Sequence, residues 1–174
     1  LNDKTIAQIG IEKESLRMNS ASLSKIKHKN YFGSPLLNSF ITTDFADAQT
    51  ELVTPVFIDH RELISFLASL HKFALEKMSD EYFWPFSIPS GKISSSDFEI
   101  AAFGKTNKAK FKEIYRKGLS NRYGKAMQSI SGIHFNFSLS ENFWNLFSEG
   151  KDSNFRTNIY FRTIRNTQRY NWLI

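Results

Sequence analysis

One ten-residue segment of this 174-residue sequence constrains the fold more than any other. From Ile130 to Leu139 apolar and polar side chains alternate, which is the period of an extended strand. One side of that strand carries His134 and Asn136, and the other carries an apolar row of Ile133, Phe135, Phe137 and Leu139. The apolar row has to pack on another layer. The segment therefore predicts a sheet strand whose opposite, polar face is open to solvent or to a ligand.

Two further strands are predicted. The segment from Ile9 to Arg17 alternates in the same way and places Glu12 and Glu14 on one face. A third strand covers Gln49 to Thr54 and stops at a proline. The polar stretch from residue 20 to residue 39 is predicted to be an excursion from the sheet.

Helices are predicted in three places. Asp59, with Glu62 three positions later, resembles a capping box, and apolar residues then recur at helical spacing up to about Met78. Thr106 or Asn107 caps a second helix that runs to about Leu119, and a third begins near residue 154. The segment from residue 84 to residue 91 is a loop, because it contains two prolines and a glycine. Without a linker or an internal repeat, the chain reads as one α+β structural unit.

Composition narrows the class of protein. Hydrophobic residues make up 41% and charged residues 23% of the sequence, as in a globular domain. No apolar run approaches the roughly 20 residues that cross a bilayer, and the start lacks the pattern of a signal peptide. We therefore expect a cytoplasmic protein that does not contact a membrane. The absence of cysteine excludes thiolate sites and leaves oxygen and imidazole as metal ligands, which favours hard cations.

The net charge of +6 leaves a second interpretation open. Clustered lysines and arginines attract phosphates, and aromatic side chains stack on unpaired bases, so an RNA-binding module is an alternative. Arg162, Arg165 and Arg169 have the spacing of one helix face and supply the strongest support for it. The simpler interpretation is a set of solvated basic faces around a Phe-rich core.

Four carboxylates and one histidine are candidates for a metal site. Glu12 and Glu14 point the same way from one strand, where two like charges are costly unless a cation lies between them. Glu51 lies in a largely apolar strand, so its carboxylate either faces solvent or meets a cation or an arginine. Taken singly, each has an ordinary structural explanation: Glu-x-Glu is common on exposed strands, and His134 alone fits a hydrogen-bonded structural histidine. Together with Asp44 they suit Mg²⁺ or Mn²⁺ bound to nucleotide phosphates.

Five ordered segments resemble the proteobacterial type of glutamate–cysteine ligase. They are GIEKESLR (10–17), ITTDFADAQTELVTP (41–55), WPFSIP (84–89), YRKGLSNRYG (115–124) and MQSISGIHFNFS (127–138). The likeness covers nearly the whole chain in register and ends with FRTIRN (161–166). Five motifs in the same order are far more specific than any one of them.

The resemblance implies a fold and a set of site residues. The fold is an antiparallel-sheet catalytic domain similar to glutamine synthetase and the guanido kinases, of which residues 1–174 form the amino-terminal part, truncated at the C-terminal end. The implied metal ligands are Glu12, Glu14, Asp44, Glu51 and His134. The implied pocket for the cysteine substrate is formed by Phe45, Tyr115, Leu119, Gln128 and Ile130. From the residues alone, Phe45, Leu119 and Ile130 fit plain core packing equally well. No catalytic residue beyond the metal ligands can be assigned.

The resemblance also implies a reaction. With Mg²⁺, or Mn²⁺ in its place, ATP activates the γ-carboxylate of L-glutamate as an acyl phosphate, and the amine of L-cysteine then displaces phosphate. This is the first step of glutathione biosynthesis. The implied partners are these small molecules and the remainder of the protein's own chain, without nucleic acid, and the 174-residue piece alone is expected to be inactive. Another carboxylate–amine ligase of the same fold is the alternative, and the pocket around Tyr115 and Gln128 would discriminate between them.

Overall fold

A computed structural model describes residues 6–78, 80–147 and 154–173. Within these residues, six strands form one sheet in which β1 is the central member. Strand β1 pairs antiparallel with β2, β4 and β5, β3 pairs antiparallel with β4, and β6 also pairs with β1. The strands are β1 (Ala7–Asn19), β2 (Ser22–Leu23), β3 (Ile41–Thr43), β4 (Gln49–Val53), β5 (Tyr82–Phe83) and β6 (Ile133–Leu139).

Helices connect and cover these strands, so the predicted α+β class is confirmed. They are α1 (His28–Phe32), α2 (His60–Lys77), α3 (Asn107–Tyr123), α4 (Lys125–Gln128), α5 (Glu141–Phe147) and α6 (Asn154–Tyr170), with short 3-10 helices at Ser95–Asp97 and Asn171–Leu173. In the described part of the chain, no helix combines the length and the apolar character that crossing a membrane requires.

The predicted helix starts agree with the structure. The Asp59 side chain accepts hydrogen bonds from the backbone N–H groups of Arg61 and Glu62, and the Thr106 hydroxyl accepts one from Ala109. Helix α3 runs four residues beyond its predicted end, because the sequence has no stop signal until Gly124, whose φ of 81° is a left-handed conformation that favours glycine. The segment predicted as a polar excursion contains β2 and α1.

The chain divides into two compact units. One comprises residues 9–136, and the other draws on residues 1–8 and 137–174. Inside the second unit, the Ser140 N–H donates to the carbonyl of Ile6 at 2.9 Å. The Leu139 N–H donates to the Tyr160 hydroxyl at 3.0 Å, and the Tyr160 ring lies 5.6 Å from that of Trp144. These contacts join α5 and α6 to the end of β6.

The first unit has apolar clusters on both faces of the sheet. In the register of β1 and β4, Leu16 lies opposite Gln49 and Lys13 lies opposite Leu52, so these two pairs point to opposite faces. The face of Leu52 packs under α2 with Phe32, Ile41, Ala74 and Met78. The face of Leu16 continues into a cluster with Met18, Leu23, Phe45, Ala46, Ala48 and Phe98.

The apolar row of β6 does not reach a core within the described residues. Ile133 is 65% exposed and Phe135 is 61% exposed. Helix α2 packs over β4, which lies on the other side of β1, so this helix does not form a second layer over β6. The prediction that the row is packed is therefore wrong for Ile133, Phe135 and Phe137 within the described residues, whereas Leu139 is half-buried and the predicted strand is confirmed.

A buried ion pair joins β1 to the segment after α2. The side chain of Arg17 is fully buried, and its Nη1 lies 3.1 Å from the Glu81 carboxylate and 3.0 Å from the Ser24 hydroxyl. Its Nη2 donates to the carbonyls of Ile26 and Asp47 at 2.9 and 3.0 Å. The charge is thus compensated and four hydrogen bonds surround the guanidinium, as burial of an arginine requires.

We predict that Glu81→Gln lowers the free energy of unfolding by about 3 kcal/mol, because it removes the nearer counter-ion of the buried Arg17 and leaves only Asp47, whose Oδ2 lies 3.9 Å from Nη2. The matched control is Glu99→Gln, which breaks the exposed Lys27–Glu99 ion pair and should cost less than about 1 kcal/mol. Urea unfolding at pH 7 measures both. Equal losses for the two variants would contradict the prediction.

His28 lies next to this network and is fully buried. Its ring packs on Phe32, with centroids 5.1 Å apart, and neither ring nitrogen has a hydrogen-bond partner among the described residues. Burial, and then the Arg17 charge, lower the pKa of His28 to about 4, while an interaction with the Ile41 backbone opposes the shift. The fold therefore holds this imidazole neutral.

The lowered pKa of His28 predicts that the free energy of unfolding decreases at acidic pH. The pKa of His28 is about 4 in the folded state and the ordinary 6.5 in the unfolded state. The contribution of the neutral ring to the free energy of unfolding is therefore complete above pH 6.5 and is lost as the pH falls toward 4. The loss amounts to about 3 kcal/mol. His28→Phe keeps the ring without the titration. The difference in unfolding free energy between wild type and this variant should fall by that amount between pH 7 and pH 4, and a constant difference would refute the assignment.

Candidate metal-binding face

The register of β1 and β4 sets two carboxylates side by side. Glu14 lies directly opposite Glu51, and β3 continues the row because Thr42 is the next partner of Glu51. Residues opposite each other in an antiparallel pair project to the same face with Cβ atoms about 5 Å apart. The Glu14 side chain is buried and Glu51 is half-buried. Two like charges thus meet on a face that is only partly solvated.

Strand β6 brings a histidine and an amide to the same face from the other side of β1. His134 Nδ1 lies 3.5 Å from a Glu12 oxygen, and its Nε2 lies 3.8 Å from Glu14 Oε1. The Asn136 amide donates to the other Glu12 oxygen at 3.1 Å. His134 is 57% exposed, so the imidazole forms the solvent side of the cluster while Glu14 lies beneath it.

Asp44 joins the row at the end of β3, where α3 contributes a positive charge. The Arg116 Nε donates to the backbone carbonyl of Asp44 at 2.6 Å, and the guanidinium lies over the ring of Phe103 at 4.5 Å from its centroid. Arg116 is electrostatically coupled to Asp44 and Glu51. Its placement follows from α3, which packs its Ala109 into a small core with Ala101 and Phe103.

Burial, with repulsion between neighbouring carboxylates, raises the pKa of Glu14, Asp44 and Glu51. Burial, followed by repulsion from Asp44, Glu12 and Glu14, raises the pKa of Glu51 to about 7, and His134 opposes the shift. Burial is also the main cause that raises the pKa of Glu14 and of Asp44; Gly132 opposes it for Glu14 and Arg116 opposes it for Asp44. The five residues predicted to hold a metal therefore form one electrostatically coupled group on one face of the sheet.

The chemistry of these donors fits a hard divalent cation. Carboxylate oxygens and one imidazole, in an environment where the negative charges are incompletely balanced, are what Mg²⁺ or Mn²⁺ would neutralise. Within the described residues, however, no group of three His, Asp or Glu side chains is already close enough to form a metal site. The donors are thus gathered on one face in pairs, and a bound cation would have to draw them together.

The residues predicted to form the cysteine pocket occupy two kinds of position. Phe45 belongs to the core and is 2% exposed, and Leu119 of α3 packs against the same cluster. Tyr115, on α3, is 58% exposed, whereas Gln128 ends α4 and Ile130 follows it. Phe45 and Leu119 therefore lie together in the interior, and the other three lie nearer the surface on the adjacent α3–α4 segment.

Several contacts of this face were missed by the sequence reasoning. Gln49 is two residues before Glu51 on β4 and so shares its face. The alternation along this strand would have predicted that shared face. Arg116 stands within a motif of the family resemblance, yet nothing in its spacing indicated Asp44 as its partner. Gly132 contributes a backbone N–H to Glu14, which a sequence pattern does not reveal.

The fold and this face together define an α+β protein with a row of coupled carboxylates across an antiparallel sheet. The sequence matches the glutamate–cysteine ligase family over residues 3–174. The chain is also similar to a crystal structure of a glutamate–cysteine ligase from Francisella tularensis in complex with AMP, with 35% identity and a TM-score of 0.88. The chain therefore belongs to the glutamate–cysteine ligase family.

A second solved structure shares the fold. The chain is 28% identical to a bifunctional glutathione synthetase from Pasteurella multocida, with a TM-score of 0.84. Both alignments include 97% of this chain, but they span 34% of the Francisella chain and 23% of the Pasteurella chain. The chain thus corresponds to about a third or less of the length of these proteins.

We predict that Glu51→Gln stabilises the protein at pH 8 in EDTA. Because the pKa of Glu51 is raised to about 7, its ionised form disfavours folding above that pH, and the penalty is absent below the ordinary value of 4.5. The gain should be about 1 kcal/mol, since partial exposure screens the repulsion. The control, Glu76→Gln, removes an exposed carboxylate on α2. A melting-temperature increase at pH 8 that disappears at pH 4.5, and only for Glu51→Gln, is the expected result; an increase at both pH values would contradict it.

Proposed function

We propose that the protein containing this chain joins the γ-carboxylate of L-glutamate to the amine of L-cysteine at the expense of ATP, forming γ-glutamylcysteine for glutathione biosynthesis. The observation that carries the proposal is the row of coupled carboxylates across β1 and β4, with the pKa of Glu51 raised to about 7, in a chain of the glutamate–cysteine ligase family. AMP in the Francisella ligase supports a nucleotide as one substrate.

Glu12, Glu14, Asp44, Glu51 and His134 would hold Mg²⁺, or Mn²⁺ in its place. The cation would neutralise the phosphate oxygens of ATP during phosphoryl transfer. The protein's part is to keep the carboxylates on one face despite their repulsion, which the paired strands do through the backbone. None of these side chains needs to act as a general base in this scheme.

The proposed reaction has two balanced steps. A γ-carboxylate oxygen of glutamate attacks the terminal phosphorus of ATP, ADP leaves, and an acyl phosphate forms. The amine of cysteine attacks the acyl carbon, phosphate leaves, and the nitrogen gives its proton to the departing phosphate or to water to form the amide. Positioning and charge neutralisation contribute most to such transfers, which agrees with a site built of ligands instead of proton-transfer groups.

The α3–α4 segment is proposed to recognise cysteine. Tyr115, Gln128 and Ile130 lie toward the surface, and Phe45 and Leu119 support them from the core. An apolar wall with one phenol and one amide suits a small side chain with a polar backbone. A reducing cytoplasm, where free cysteine remains a thiol, is the compartment that this substrate requires.

The chain by itself is proposed to be inactive, since the matched segment spans only 34% of the Francisella ligase. The function is therefore tested on the full-length protein. We expect phosphate release that requires ATP, glutamate and cysteine together, with γ-glutamylcysteine identified by mass spectrometry. Turnover with another amine in preference to cysteine would favour a different carboxylate–amine ligase, and absence of turnover with any amine would refute the proposal.

We predict that Glu14→Gln raises the Mg²⁺ concentration for half-maximal ligase rate by about tenfold or more, because it removes one negative ligand while preserving the shape. Glu113 is unsuitable as a control, since it is half-buried and its carboxylate accepts a hydrogen bond from the Phe103 N–H at 3.1 Å. Glu76→Gln, on the exposed side of α2, should leave the Mg²⁺ dependence unchanged. If Glu14→Gln also leaves it unchanged, Glu14 is not a ligand.

A further inference from the structure

We infer that Gln49 is a positioning residue that orients Glu14 and the Asp44 turn for cation binding; the inference rests on the function proposed above. Gln49 is fully buried on β4, on the same face as Glu51. It does not face solvent, and no role in substrate contact is assigned to it. Its side chain instead connects three segments that carry the candidate ligands.

The orientation of the Gln49 amide is determined by its neighbours. Its Oε1 accepts hydrogen bonds from the backbone N–H groups of Phe45 and Ala46, at 3.3 and 3.4 Å. An amide nitrogen could not accept them, so the NH₂ group must point the other way. It donates to the Ser131 hydroxyl at 3.3 Å and to Glu14 Oε2 at 3.5 Å. The buried amide thus has partners on both ends and cannot turn over without losing them.

These contacts distinguish the two oxygens of Glu14. Oε2 accepts from the Gln49 amide and also from the Gly132 N–H at 3.0 Å. Oε1 is the oxygen that lies 3.8 Å from His134 Nε2 on the open side. A carboxylate held by one oxygen presents the other in a defined direction, which is how hydrogen-bond partners behind a ligand raise metal affinity.

Gln49 also anchors the turn that carries Asp44. The Asp44 N–H donates to the backbone carbonyl of Gln49 at 3.1 Å, while the next two N–H groups of the turn donate to its side chain. Gln49 therefore contacts both the turn that carries Asp44 and the carboxylate of Glu14, beside Arg116 and Gly132, which hold the same two residues. We expect removal of the Gln49 amide to change the relative position of the Glu14 and Asp44 carboxylates, even if the sheet remains intact.

The test is Mn²⁺ binding to the full-length protein, measured by electron paramagnetic resonance at a temperature where every variant is folded. Gln49→Met retains the length of the side chain without its hydrogen bonds and should weaken Mn²⁺ binding by about tenfold or more. Gln49→Asn keeps the amide but shortens the side chain by one methylene, so it should also weaken Mn²⁺ binding. This variant replaces Gln49→Met in the test if Gln49→Met does not fold. The matched control is Thr50→Val, at the adjacent, equally buried position on the opposite face, whose hydroxyl has no partner among the described residues.

The outcomes separate the inference from the proposed function. Weakened Mn²⁺ binding in the folded Gln49 variants, with Thr50→Val at wild-type affinity, supports it. A lower melting temperature with unchanged Mn²⁺ affinity would show that Gln49 is merely structural and overturn it, leaving the proposed ligase unaffected. Wild-type protein that fails to bind Mn²⁺ would overturn both the inference and the metal site of the proposed function.

Discussion

The pairing of β1 with β4 is the constraint on which the rest of this structure depends. Its register places Glu14 opposite Glu51 and Lys13 opposite Leu52, so one choice of register sets the carboxylates on one face and the Leu52 cluster under α2 on the other. A slip of one residue would exchange these faces, burying carboxylates under α2 and exposing the residues that now pack there. The helix α2, the two apolar clusters and the candidate site all presuppose this register.

The protein treats its buried charges in two different ways. Each nitrogen of the Arg17 guanidinium except Nε has a hydrogen-bond partner among the described residues. The ion pair with Glu81 is also shielded from solvent. On the acidic face the negative charges are incompletely balanced, and burial followed by repulsion from the neighbouring carboxylates raises the pKa of Glu51 to about 7. The first arrangement stabilises the fold, whereas the second is an electrostatic cost that protonation or a bound cation would offset.

The two arrangements are linked through the same strand. Arg17 and Glu14 are three residues apart on β1, and Asp47, whose carbonyl accepts from Arg17, lies in the turn that also contains Phe45 and Ala46. The Gln49 side chain holds the other end of that turn. The rigid ion-pair network therefore supports, from the opposite face, the loop that brings Asp44 toward the carboxylates. We regard this connection as the reason that mutually repelling side chains can be held together on one surface.

The alternation in the sequence determined the three main strands and the polar side of β6, since a period of two specifies which residues share a face. The helix starts were equally readable, because Asp59 and Thr106 form their caps with residues two or three positions away. The five candidate ligands were named from the family resemblance, and their role as metal ligands stays a prediction. All of these features are local, or are recorded in contiguous motifs.

Tertiary structure alone decided the contacts between segments distant in the chain. The sequence does not show that Gln49 reaches Glu14 and Ser131, that Arg116 holds the Asp44 carbonyl, or how deeply Phe45, an implied pocket residue for which core packing was the alternative, is buried. It also misled about the apolar row of β6, because periodicity identifies an apolar face but not whether a second layer covers it. The physical reason is common to all four cases: alternation and capping depend on neighbours along the chain, whereas pKa, burial and hydrogen-bond partners depend on which distant segments the strand register brings together.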